Sequence, residues 1–290
     1  GLTLLSSIPV ARLLGSESYG ELGIVQSTIG TFVIFAGPAL GVAATKHIAE
    51  LRYSDPERIG RIIGMTYVVG IIISTLVATF ILIGAPFLAN TTLNAPGLTG
   101  ILRLATVALF FNGLIGIQNG ILAGFEAFRS MAKVNLWRGL ISLPAMVIGA
   151  WLWHLPGAVL ALGVISVVTA YANHQATQNE MREHGISAIF TYRRSEWRIL
   201  YSFSFPALLS SIVVVFATWA ANAILVNQPN GYKEMGIFNA ANQWRIAILF
   251  LPSVLSKPVL PMLSESLHRS VQEYKQVLKL NLCITGTISL

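Results

Sequence analysis

The chain has 290 residues, 54% of them hydrophobic and only 11% charged, with a formal net charge of +7. Soluble domains carry about 25% charged residues, so such a chain cannot cover a water-facing exterior, and most of its surface must face lipid. Its single cysteine, Cys283, excludes an intramolecular disulfide and any multi-thiolate metal site.

About 20 apolar residues cross a bilayer as a helix, and nine such segments are read in chain order. The first, 1–14, opens inside an apolar run without an initiator Met or a basic leader, and it reads as the remnant of a longer helix. The second runs from Gly20 to Ala44, followed by 62–89, 99–123, 135–154 and 157–178. Trp153-His154-Leu155-Pro156-Gly157 predicts a tight turn between the last two. Further segments cover 199–226 and 235–261, and a ninth begins near Val277 and is cut off at Leu290, so the sequence reads as a fragment. Prolines 38, 144, 206, 252, 258 and 261 fall where they can kink helices.

Alternate loops differ in charge. One set holds Lys46, Arg52, Arg58 and Arg61, then Arg129, Lys133 and Arg138, then Arg182, Arg193, Arg194 and Arg198, then Arg269, Lys275 and Lys279. The opposite set is nearly uncharged, as in Asn90 to Gly97. Basic loops stay on the cytoplasmic side, which predicts a multi-pass membrane protein with a cytoplasmic amino terminus. The net charge is thereby explained by basic loops near anionic lipid headgroups and not by a nucleic-acid partner.

A phrase recurs: Tyr19-Gly20-Glu21-Leu22-Gly23-Ile24 and Tyr232-Lys233-Glu234-Met235-Gly236-Ile237, each placed at the start of a helix on the uncharged side. Gly37-Pro38 and Leu251-Pro252 follow at nearly matching depth. If helix 1 matches helix 7, the unit is six helices and the repeat is parallel, about an axis along the membrane normal, an arrangement that in transporters puts the substrate path between the halves. Chance similarity between two helix starts is the alternative.

The run Pro9 to Gly20 resembles the first-loop signature of bacterial polysaccharide flippases, and Gly37-Pro38-Ala39-Leu40-Gly41-Val42-Ala43-Ala44-Thr45-Lys46 is similar to the end of their second helix. Gly236 to Gln243, with Leu251-Pro252 and Pro258-Val259-Leu260-Pro261, is similar to their eighth. The family is the oligosaccharide (O-antigen type) flippase branch of the multidrug, oligosaccharidyl-lipid and polysaccharide exporter superfamily. The resemblance implies an all-α multi-helix transporter of two six-helix lobes, with 1–185 as the first lobe and 186–290 as the start of the second. It further implies a bacterial inner-membrane flippase carrying undecaprenyl-pyrophosphate-linked oligosaccharide to the periplasmic leaflet, with no cofactor or metal. Its partners would be that anionic lipid-linked glycan, membrane lipids and other polysaccharide-assembly membrane proteins.

Charges within the membrane cost a few kcal/mol at mid-depth, and they mark functional sites by default. Arg245 lies ten residues into the eighth segment, near the midplane, with Asn242 three residues before it and Lys257 further along a polar stripe. A guanidinium there could hold a pyrophosphate bidentately, or it could bond carbonyls freed at Pro252. Arg103 could face the cavity or snorkel outward. Arg12 could line the outer mouth or pair with Glu17. Lys257 could contact substrate or sit at the inner interface. Asn222, Asn239 and Asn242 could meet sugars or pair between helices, and a coupling ion would have to use carbonyls, amides such as Asn112, Gln118 and Asn119, or further helices. The embedded charges are positive, which favours an anionic cargo over the cationic drugs of a multidrug exporter, the main rival reading. An enzyme such as a membrane glycosyltransferase or ligase is disfavoured, because the five His residues are scattered and no nucleophile–base pair is visible.

Overall fold

A computed structural model describes residues 2–51, 54–189 and 194–256, and among these every regular element is helical. In chain order they are α1 (Leu2–Ala36), α2 (Pro38–Leu51), α3 (Pro56–Phe87), a π-helical turn (Leu88–Thr92), α4 (Leu98–Gly124), α5 (Phe128–Glu183), α6 (Arg194–Val226) and α7 (Gly231–Ser256). The ninth expected segment lies outside the described residues. Three helices are long and apolar enough to cross a membrane, and a fourth if α1 and α2, bent by 43°, form one broken span.

Two of these helices are folded back on themselves. In α5 the backbone leaves helical geometry at Trp153 and at His154 (φ 48°, ψ −131°). Eight residues of straight helix would separate Gly149 from Gly157 by about 12 Å, yet their backbones lie in contact, and a Cβ on either would overlap the other's carbonyl oxygen. The chain therefore makes a hairpin where the Pro-Gly turn is predicted. In α1 the break is at Gly15, whose φ of 75° is open to glycine at little cost. The reversal pairs the hydroxyls of Ser7 and Tyr19.

The expected helix from Gly20 to Ala44 is interrupted. α1 ends at Ala36 and α2 starts at Pro38, because Pro38 cannot supply the amide hydrogen that would continue the ladder. The bend brings α2 flat against α4: Gly41 and Gly120 meet backbone to backbone, and the Thr45 hydroxyl donates to the Gly120 carbonyl at 2.8 Å. Small residues permit this approach, which is how helices associate without a hydrophobic driving force. Gly120→Leu should therefore cost several kcal/mol through overpacking. The expected result is loss of folded protein in detergent, read by size-exclusion chromatography of the fluorescently tagged chain.

α3 begins with Asp55 accepting from the Arg58 amide at 3.0 Å and Pro56 at the first helical position, both favourable helix starts. Along it Leu76, Phe80, Ile83 and Phe87 are all more than 60% exposed at helical spacing, while Ser74, Ile81 and Ala85 are buried. A stripe of large apolar side chains pointing outward is the reverse of a soluble fold and is suited to lipid. The loop after the π-helical turn is tied down by Asn227, which donates to the Thr92 carbonyl at 2.8 Å, and by the Tyr232 hydroxyl, which donates to Leu93 at 2.7 Å.

Candidate functional site

Two cavities of about 190 and 390 Å³ share Gln26, Arg138, Leu162 and Ile165, and they form one chamber between α1, α4 and both arms of α5, with Gln243 of α7 at one end. Its polar lining is made of amides (Gln26, Asn112, Asn119, Gln243) and hydroxyls (Ser6, Ser7, Ser142, Ser166), and among the described lining residues Arg138 is the only charge.

Arg138 lies ten residues into α5, roughly 15 Å along the helix at 1.5 Å per residue, and fifteen residues before the break at Trp153, so it falls in the middle part of that arm. Its side chain is exposed and reaches the chamber. It has no ion pair or side-chain hydrogen bond among the described residues. The neighbouring amides are already oriented: Asn112 donates to the Ala108 carbonyl at 2.7 Å and to the Ser166 hydroxyl at 3.0 Å, and the Asn119 oxygen accepts from Asn173 at 3.2 Å. The chamber thus offers one free guanidinium with fixed amide and hydroxyl dipoles around it. Such a set can hold an anion bidentately and hydrogen-bond hydroxyl-rich groups beside it.

The residues singled out in the sequence are dispersed. Arg245 donates through Nε to Asn242 Oδ1 at 2.9 Å and is exposed. α7 begins at Gly231, not near residue 235, so Arg245 sits 14 residues in, about 21 Å along a helix of 26 residues and close to its middle. Neither Arg245 nor Asn242 lines the chamber; Gln243, between them, does. Arg103 is exposed on α4, its carbonyl accepting from the Thr106 hydroxyl at 2.6 Å, and it lies off the chamber. Arg12 is exposed and lines an adjoining cavity of about 350 Å³, with Trp244 and Ser16, that meets the chamber at Ser7 and Tyr19. No ion pair joins it to Glu17. Lys257 lies outside the described residues. Asn222 is an interhelical pair, donating to the Ser27 hydroxyl at 2.9 Å.

The recurring phrase has a physical role. Its two copies pack on each other: a Cβ on Gly20 would overlap the Tyr232 carbonyl oxygen, and one on Gly236 would overlap that of Ser16. The backbones of α1 and α7 therefore close against each other at the uncharged face, beyond the chamber.

The family described as "Polysaccharide biosynthesis protein" matches residues 1–267. The chain belongs to this family. It is similar to the EPS I polysaccharide export inner membrane protein EpsE of Ralstonia nicotianae, 23% identical over 300 residues, and to EpsE of Ralstonia solanacearum, 22% identical over 306. Each alignment covers all of this chain and 66% of the relative, so the chain spans about two thirds of their length. Among solved structures it is similar to an inward-facing multidrug resistance MATE family transporter of the MOP superfamily, with a TM-score of 0.73 and 17% identity. That match covers 99% of this chain and 67% of the other, and it establishes the fold. The membrane-transporter bundle expected from composition and resemblance is thus the architecture of this family member.

Arg138 is the residue that sequence reasoning placed elsewhere, among the basic loops. The fifth segment was expected from residue 135, but α5 starts at Phe128, and those seven residues place Arg138 well inside a helix and not at a loop edge. The available signal was the run Met131-Ala132-Lys133-Val134, good helix formers immediately before the apolar stretch.

Proposed function

We propose that this chain is the larger part of an inner-membrane transporter that carries an undecaprenyl-pyrophosphate-linked oligosaccharide from the cytoplasmic to the periplasmic leaflet. The observation that carries the reading is Arg138, an unpaired guanidinium from the middle part of a helix arm, in a chamber otherwise lined by amides, hydroxyls and aliphatic groups. The guanidinium takes a phosphate oxygen pair, and the amides take sugar hydroxyls. Arg12, in the adjoining cavity, extends the positive path, and Arg245 and Arg103 add cations on either side of it. The family and the relatives' names, which describe polysaccharide export, support the same cargo.

On this reading the basic loops face the cytoplasm, the amino terminus is inside, residues 1–185 form one lobe, and α6 and α7 open the second. The close packing of the two recurring phrases then seals the periplasmic face. A drug exporter fits less well, because a cationic drug would meet an uncompensated guanidinium and, among the described lining residues, no carboxylate.

Deleting the gene should make lipid-linked sugar intermediates accumulate on the cytoplasmic face and deplete surface glycan. Unchanged lipid-linked pools together with raised drug sensitivity would sink the proposal. Within it, Arg245→Ala should lower transport only about two- to fivefold, since that guanidinium is exposed and already holds Asn242. The comparison is the rate of glycolipid translocation in reconstituted vesicles.

A further inference from the structure

A further cavity, of about 530 Å³, is distinct from the chamber. It lies between α3 and the end of α5, closed at one end by residues 186–188, and it shares no lining residue with the chamber. The wall between the two is tight: Gln118, Asn173 and Thr177 are each at most 3% exposed, and Asn173 is bonded to Asn119 on the chamber side.

Its polarity is ordered along the membrane normal. At the surface stands Arg182, in the last turn of α5, exposed and without an ion pair among the described residues. Of the nearby carboxylates, Glu180 is taken up by the Ser130 hydroxyl, which donates at 2.8 Å, and Glu183 points from the following residue without lining the cavity. Gln178 stands one turn deeper and His174 two; the pair is joined at 2.9 Å, and His174 stands edge-on to Tyr67 with ring centres 6.1 Å apart. Deeper still along α3, Val68 and Ile71 make an aliphatic slot, with Ile71 44% exposed towards the bundle's exterior. From Arg182 to His174 is eight residues of helix, about 12 Å.

Charge at the surface, amide and imidazole a turn in, and aliphatic groups at depth is the order of a phospholipid's phosphate, glycerol esters and acyl chain. The same helix ends carry Arg58, Arg129 and Lys133, together with Glu57, Glu126, Glu180 and Glu183, none of which lines the cavity. We propose that this cavity holds an anionic phospholipid of the leaflet on the basic face, its phosphate on Arg182 and one acyl chain in the Val68–Ile71 slot. The site is separate from the cargo chamber, and its lipid acts as a bound structural ligand, not as a transported one.

The test uses the full-length protein in detergent, titrated with phosphatidylglycerol or phosphatidylcholine of matched chains. Bound lipid is counted by native mass spectrometry, and thermal stability is followed in parallel. Phosphatidylglycerol should bind and stabilise more than phosphatidylcholine. Arg182→Gln should weaken it about tenfold, the loss of one charge-assisted hydrogen-bonded contact. Val68→Trp, which fills the slot, should abolish tight retention of either lipid. Equal binding of the two lipids, or unchanged phosphatidylglycerol binding in both variants, overturns the proposal. Because the readout is lipid binding and not translocation, failure here leaves the transport reading standing, and failure of that reading leaves this site standing.

Discussion

Arg138→Gln should lower glycolipid translocation in reconstituted vesicles by about 10- to 100-fold while leaving the protein folded. The magnitude follows from removing a charge-assisted contact of about 1.5–3 kcal/mol. Folding should be spared because Arg138 has no partner to abandon, and because a neutral side chain in the middle part of its helix arm removes a charge that costs about 2.5–3.5 kcal/mol at the centre of a membrane helix. Arg138→Lys should retain an intermediate rate, since an ammonium keeps the charge but loses the planar fork that engages two phosphate oxygens at once. If Gln and Lys variants translocate alike at the native rate, Arg138 does not hold the cargo. If all three bind glycolipid equally but differ in rate, it acts in the conformational step instead.

Gly236→Leu should have the larger effect, stopping translocation altogether. The backbones of α1 and α7 meet at Gly20 and Gly236 with no room for a Cβ on either. A leucine there cannot be accommodated by a rotamer change, because the obstructing atoms are main-chain. Overpacking of this kind costs about 3 kcal/mol or more, so the closed uncharged face becomes at least about a hundredfold less populated. The readout is labelling of Ser7→Cys in a Cys283→Ser background, using a membrane-impermeant thiol reagent added from outside. Labelling should be slow when Gly236 is kept and fast in the Gly236→Leu variant, and Gly236→Ala should fall between them. Slow labelling in every variant would show that this contact is not what shuts the face.

Much of the bundle was legible from the sequence, because spanning helices answer to one physical ruler, the thickness of the hydrocarbon layer. The Trp153–Pro156 reversal could be read from its turn residues, and the break near Gly37 was foreshadowed only by the kinking power of Pro38. What the ruler misses is helix that continues past its apolar stretch. Residues 128–134 are helical but polar, and stopping at residue 135 put Arg138 at a loop edge when it stands ten residues into a helix. The chamber itself depends on which faces of α1, α4 and α5 converge, and periodicity carries no information about that in helices apolar on nearly every side. The recurring Tyr-x-Glu-x-Gly phrase was visible, but that its copies touch each other is a tertiary fact.

The solitary guanidinium in the chamber also has an electrical meaning. Each elementary charge that crosses 100 mV of membrane potential is worth about 2.3 kcal/mol. A diphosphate travelling outward is pushed by an inside-negative potential, and Arg138 offsets part of its charge. The wild-type carrier should therefore feel voltage less than Arg138→Gln does, so that hyperpolarising the vesicles speeds the crippled variant by the greater factor. On the proposed transport reading, Arg138 would be a ballast as well as a grip, setting how strongly the membrane potential drives the cargo.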